Sequence, residues 1–254
     1  MCRNFVRILL KAADKPQIIT LSYKSSFIFV EIFPRMKKAV VFGASGFIGS
    51  FLLSELLNDP DYERVTIVVR KQLDIQHPKL KTLIGDFGTL PKLKDQIEAD
   101  EVFIAMGTTK SKTPDEKEYY QIDHDYPVLA ARMAREMGAK SVFTVTAVGA
   151  NQHSKMFYLR TKGEVERDVT NLGFENAYFF RPSMLLGERK EHRSLEKALI
   201  RVWPVIQGVF FGRLSKYKGI KGSDVARAMV RAAKQQPERV KVYEWKEMIT
   251  PDTQ

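Results

Sequence analysis

The chain has 254 residues, 44% hydrophobic and 28% charged, with 41 Lys+Arg against 30 Asp+Glu for a net charge of +11. That much apolar material supplies a packed core and excludes a disordered chain, and no apolar run approaches the roughly 18 residues that a membrane-crossing helix needs. A single cysteine, Cys2, excludes an intrachain disulfide, and His77, His124, His153 and His192 are scattered without a ligand pattern, so no metal and a reducing, cytoplasmic setting are expected.

The positive excess sits in residues 1–35 and 188–247, whereas residues 36–187 are balanced. Without interleaved aromatic stacking positions, a basic end reads as solvated surface, and neither nucleic acid nor membrane is expected as a partner. Residues 1–35 lack a signal-peptide core, because Arg7 and Lys11 bracket a short apolar stretch, and Asp14 and Glu31 spoil a transit-peptide composition. At Met36 the character changes, and Met36-Lys37-Lys38 runs directly into Ala39-Val40-Val41-Phe42. Residues 1–35 are therefore read as an extension, with Met36 as the true or an alternative start, against the competing reading of an arm that packs on the domain; residues 36–254 form one domain.

From Met36 onward short β-rich runs alternate with longer helical patterns, the order of an α/β fold with a doubly wound parallel sheet. Strands are predicted at Lys38–Phe42, Arg64–Val69, Leu80–Ile84, Glu101–Met106, Ser141–Val145 and Ala177–Arg181. Between them, apolar residues at intervals of three and four predict helices at Phe47–Leu57, Tyr119–Met137 (ended by Gly138) and Tyr158–Leu172. Helical stretches near 194–206 and 223–235 then precede a late strand at 240–245.

Between the first strand and first helix stands Gly43-Ala44-Ser45-Gly46-Phe47-Ile48-Gly49. Glycines there permit a tight turn and close approach of backbone to a pyrophosphate, which the helix N-terminus attracts. Gly43, Ser45, Gly46, Phe47, Ile48 and Gly49 are thus candidates to hold a dinucleotide. Where NAD-binding proteins carry an acidic residue some 20 positions further on, this chain has Arg70-Lys71, so NADP(H) is expected over NAD(H). Asp86, followed by Phe87, is placed to meet the adenine, and Met106-Gly107-Thr108-Thr109 leaves a small-residue passage for the dinucleotide at the end of the fourth strand.

Tyr158-Leu159-Arg160-Thr161-Lys162 opens a helix with a tyrosine and a lysine four apart on one face. That spacing predicts that Lys162 stabilises the phenolate and draws the Tyr158 pKa down toward the range of a general acid/base.

These segments resemble the short-chain dehydrogenase/reductase superfamily over nearly everything from Met36 to the late strand. They are most similar to its atypical branch, which includes the HIV-Tat-interacting tumour-suppressor protein and bacterial epimerase-like relatives. The residues that carry the closer match are GASGFIG at 43–49, VVRK at 68–71, MGTTKSK at 106–112, IDHDYP at 122–127, VGANQHSKMFYLRTKGEVE at 148–166 and FFRPSMLLGER at 180–189.

The resemblance implies a Rossmann fold with a small C-terminal substrate-binding portion, mainly in 182–222, and hydride transfer between NADPH and a small carbonyl or alcohol compound. Tyr158 would move the proton and Lys162 would hold the nicotinamide ribose. The family's usual serine at the end of strand five is replaced by threonine, Thr146 being preferred over Thr144. Val145, Arg181, Pro182 and Ser183 would pass the nicotinamide, with an ordinary buried ion pair as the competing role of Arg181. Trp203, Phe210, Phe211 and Tyr217 are candidates for an aromatic substrate pocket with a cationic rim, or for core. Two alternatives remain: an NADPH-sensing regulatory protein that contacts a protein partner, and a nucleotide-sugar epimerase or dehydratase, against which Arg70-Lys71 argue. A monomer or weak homo-oligomer is expected.

Overall fold

A computed structural model describes residues 5–7, 17–23, 26–32, 35–187, 217–236 and 238–250. The chain divides into two compact units, Met1–Lys37 and Lys38–Gln254. In the first, Phe5–Arg7 (β1), Gln17–Tyr23 (β2) and Ser26–Ile32 (β3) form a sheet of order β1-β3-β2, with β2 antiparallel and β1 parallel to β3. Sequence reading leaves this segment outside the fold; the isoleucine, valine, threonine and phenylalanine content of β2 and β3 is nonetheless strand-forming.

The second unit is built on a seven-stranded parallel sheet. Its strands are Lys37–Phe42 (β4), Tyr62–Val69 (β5), Leu80–Ile84 (β6), Glu101–Ile104 (β7), Ser141–Val145 (β8), Asn176–Phe180 (β9) and Val240–Tyr243 (β12). Leu185–Leu186 (β10) and Ile220–Lys221 (β11) make a separate parallel pair. The order is β12-β9-β8-β7-β4-β5-β6. The chain thus runs outward from β4 through β5 to β6, then returns to the other side of β4 with β7. That reversal opens a crevice beyond the carboxyl ends of β4 and β7, where Phe42 pairs with Ile104.

The helices are Phe47–Asn58 (α1), Leu90–Leu93 (α2), Glu116–Tyr120 (α3), Tyr126–Glu136 (α4), Phe157–Asn171 (α5), Gly222–Gln235 (α6) and Trp245–Ile249 (α7). Because both faces of the sheet are covered, Ala39–Phe42 of β4 reads as an unbroken apolar run whose residues go alternately to two layers. Ala39 and Val41 join Leu52 and Leu56 of α1 and Met229 of α6 on one face. Val40 and Phe42 join Met133 of α4 and Val165 and Val169 of α5 on the other.

Two expectations are corrected. The helix predicted at Tyr119–Met137 begins at Glu116, where Asp115 accepts from the Glu118 N–H at 2.8 Å, and is interrupted by a π-turn at Gln121–Asp125. The late strand ends at Tyr243, because Glu244 and Glu247 form a capping box that opens α7. The helix predicted near 194–206 and the aromatics Trp203, Phe210 and Phe211 lie outside the described residues.

Candidate cofactor and catalytic site

The glycine turn is built to bring backbones together. Gly43 has φ +87°, and a Cβ on it would lie 2.5 Å from the Ala105 carbonyl oxygen at the end of β7. A Cβ on Gly49 would lie 2.0 Å from the Gly43 oxygen, so this glycine lets α1 sit against the turn. The Gly46 N–H donates to Gly43 O at 2.9 Å. Gly46 caps α1 without a side-chain hydrogen bond, and no acidic residue occupies the first turn. The amides of that turn and their partial positive charge therefore remain for an anionic ligand, and the cradle fits the diphosphate of a dinucleotide.

Ser45 is exposed at the turn, whereas Ile48 is buried in the core. The Phe47 ring packs where a Cβ on Gly187 or Gly222 would strike it, at 2.8 and 2.7 Å. Phe47 and Ile48 therefore offer the site backbone rather than side chain.

Arg70 and Lys71 emerge exposed beyond β5, and neither side chain has a partner among the described residues. Asp86 is exposed, and its carboxylate closes a turn, accepting from the Thr89 N–H at 2.9 Å and the Thr89 hydroxyl at 3.0 Å, which holds it below the usual carboxylate range. Phe87 stacks on Tyr126 of α4 with ring centroids 3.9 Å apart.

Tyr158 and Lys162 lie on the first turns of α5. Tyr158 lines a cavity of about 390 Å³ with Ala147, Val148, Pro182, Ser183, Met184 and Tyr217. Behind it the Lys162 ammonium forms an ion pair with Asp123 Oδ1, the two side chains being 6% and 1% exposed. Asp123 Oδ2 accepts from the Thr108 N–H at 2.6 Å. A Cβ on Gly107 would lie 3.2 Å from Asp123 Oδ1 and 3.5 Å from Lys162 Nζ, so the small-residue passage predicted at 106–109 runs directly over the pair. Thr108 and Thr113 share a hydroxyl hydrogen bond at 2.9 Å, and the Thr113 N–H donates to Thr109 O, which closes that loop.

Sequence reading does not single out Asp123. It lies inside the IDHDYP segment, but nothing in its spacing from Lys162 marks it, because the π-turn sets where it points. The expected lowering of the Tyr158 pKa is not what the site gives. Although Tyr158 is 42% exposed, desolvation of its covered part raises the phenol pKa most, Lys162 lowers it and Asp123 adds a smaller rise, leaving it above the ordinary tyrosine value.

Thr146 Oγ1 donates to Glu166 Oε1 at 2.7 Å and lies close to Phe180 O, Thr144 Oγ1 is buried without a hydrogen bond, and neither residue lines the cavity. Ala147 lines the cavity where the hydroxyl was expected. Val145 packs against the core. Arg181 takes its competing role, a two-point ion pair with Glu166 at 2.9 and 2.5 Å. Pro182 O accepts from the Val148 N–H at 3.0 Å, and the Ser183 hydroxyl donates to Lys218 O. One further residue places α5 itself: a Cβ on Gly163 would fall 2.1 Å from Gln152 N, and the Asn151 N–H donates to Leu159 O at 3.0 Å.

A crevice at a strand reversal, a glycine cradle at a helix N-terminus and a Tyr/Lys pair on the next wall together define an NAD(P)-binding protein of the short-chain dehydrogenase/reductase type. The chain belongs to the NAD dependent epimerase/dehydratase family, whose model matches residues 39–244.

Among curated relatives, protein FMP52, mitochondrial, of Candida glabrata is 31% identical over 79% of this chain and 87% of its own length. Protein fmp52, mitochondrial, of Aspergillus fumigatus is 34% identical over 65% of this chain and 73% of its own. These names overturn the expectation of a cytoplasmic protein. The UDP-N-acetylglucosamine 4-epimerase of Methanobrevibacter ruminantium shares the fold at TM-score 0.62 and 18% identity, covering 83% of this chain and 77% of that one. MoeE5, solved with UDP-glucose and NAD, does so at TM-score 0.61 and 21% identity, covering 81% and 74%.

Proposed function

We propose that the protein is an NADP(H)-dependent oxidoreductase acting on a small carbonyl or alcohol compound, as a monomer or weak homo-oligomer. The observation that carries this reading is the placement of Tyr158 on the wall of a cavity whose other described walls bear no charged side chain, with Lys162 directly behind it. When bound, the nicotinamide supplies or takes up the hydride. The α1 amides and the Gly43–Gly49 turn hold the diphosphate, and Tyr158 gives its proton to, or takes it from, the substrate oxygen. Ala147, Val148, Pro182 and Met184 exclude water around the reacting carbon. Such a wall suits an apolar carbonyl compound better than a nucleotide sugar. Arg70 and Lys71 support NADP(H), since a guanidinium binds a 2′-phosphate in two-point fashion. The mitochondrial names of the relatives support a mitochondrial location.

The experiment is calorimetric titration with NADPH and NADH, followed by a panel of apolar aldehydes and ketones. NADPH should bind at least about tenfold tighter, and Arg70→Ala/Lys71→Ala should erase that margin. Tyr158→Phe should bind NADPH normally and lose about 100-fold or more in turnover. Equal affinity for NADH removes the NADP(H) preference, and undiminished turnover removes Tyr158 from the chemistry. A second reading, an NADPH sensor with a protein partner, is favoured by the hydroxyl of Thr146 turning to Glu166, so that Ala147 rather than a threonine stands beside Tyr158 on the cavity wall. Silence across the panel, with partner capture that responds to NADPH, selects it.

A further inference from the structure

A lysine one turn beyond a tyrosine favours the phenolate, because its positive field stabilises the charged form. In this chain the lysine does not act alone. Asp123 meets Lys162 from a different element, the π-turn between α3 and α4, and both side chains are almost wholly buried. A π-turn fits one extra residue into the helical path and re-aims its side chains. Asp123 is held in its position by the Thr108 N–H at 2.6 Å and by the missing Cβ of Gly107.

Among the described residues, the remaining titratable groups around Tyr158 are phenols: Tyr119 of α3, which is 5% exposed, and Tyr217 across the cavity. Ala147, Val148, Pro182, Ser183 and Met184 bring no charge. Among the described residues, the charges that act on the phenol are Lys162 and Asp123, which oppose each other.

We propose that Asp123 is a positioning residue whose carboxylate offsets the field of Lys162 at Tyr158, so that the phenol is held in its protonated, proton-donating form. The chemistry rests on the oxidoreductase reading above. In the reductive direction the carbonyl carbon gains the hydride supplied by the reduced nicotinamide, and the Tyr158 O–H bond breaks to give its proton to the carbonyl oxygen. The alcohol forms, the cofactor is left oxidised, and water returns a proton to Tyr158. In the oxidative direction the same residue would have to begin as phenolate, the form that Asp123 disfavours.

The test needs no substrate. Tyrosinate absorbance is followed by pH jump in the full chain, and the trace of Tyr158→Phe is subtracted to isolate Tyr158. In the unsubstituted protein the isolated phenol should ionise above the ordinary tyrosine midpoint of about 10. Asp123→Asn keeps the size and an oxygen for Thr108, and should bring that midpoint down by about one pH unit or more. Lys162→Met reads the same field from the other side: with Asp123 unopposed, the midpoint should rise. An Asp123→Asn trace that coincides with the parent overturns the proposal. So does a parent midpoint below 9, or, where Asp123→Asn does not fold by circular dichroism, a Lys162→Met trace that fails to rise. Absence of NADPH binding by calorimetry on the same samples overturns the oxidoreductase reading and the proton-donor role with it, whereas an unmoved titration overturns the role of Asp123 alone.

Discussion

At the scale of single residues, Glu166 ties together three stretches of chain. It accepts from the Thr146 hydroxyl just after β8 and from both arms of Arg181 just after β9. Its side chain is 11% exposed and that of Arg181 21%. Arg181→Met leaves a nearly buried carboxylate with one hydroxyl partner, and should cost about 2 kcal/mol in urea unfolding. Arg181→Met/Glu166→Met should recover part of that loss; a double variant as unstable as the sum of its parts would mean that the two side chains act separately. The Tyr158/Lys162 pair and the glycine turn are legible from spacing because each lies within one helical turn or one loop. Thr146 is not. It sits one residue past the end of β8, where the two-residue alternation of a strand stops, and its direction is settled by a carboxylate twenty residues further along. Asp123 is illegible for a similar reason, since its partner lies across the fold.

At the scale of elements, β6 and β8 match their sequence-predicted bounds, and β4, β5 and β9 do so to within two residues, because buried apolar runs end where the chain turns. What the periodicity hides is the π-turn, because Tyr119, Ile122 and Tyr126 keep helical spacing across it while Asp123 is drawn inward. The seat of α5 depends on Gly163, which lies against the backbone of Asn151 and Gln152. Alanine is the better helix former by about 1 kcal/mol. Here its methyl would meet backbone at 2.1 Å, which no rotamer relieves. Gly163→Ala should therefore lose about 1–3 kcal/mol of stability and displace Tyr158 from its cavity. Thermal unfolding together with the Tyr158 titration checks it, and a raised melting temperature would mean that propensity outweighs the contact.

At the scale of the whole molecule, every described residue of the two core layers lies at Ala39 or beyond. A chain beginning at Met36 should accordingly unfold at the same temperature as the full chain and bind NADPH equally well; a midpoint lower by more than a few degrees would give residues 1–35 a share in stability. The alternation of strand and helix patterns foretells the α/β class, whereas net charge does not foretell the compartment, because a balance of +11 is compatible with more than one. The ring of Phe47 joins distant parts of the chain: it begins α1, and it fills the space that side chains at Gly187 and Gly222 would need. It works as a gauge block. A methyl group added at either glycine would be felt, through one rigid ring, by the amides that face the dinucleotide. Cofactor affinity can thus be set from two positions remote in sequence, without altering any residue of the glycine turn.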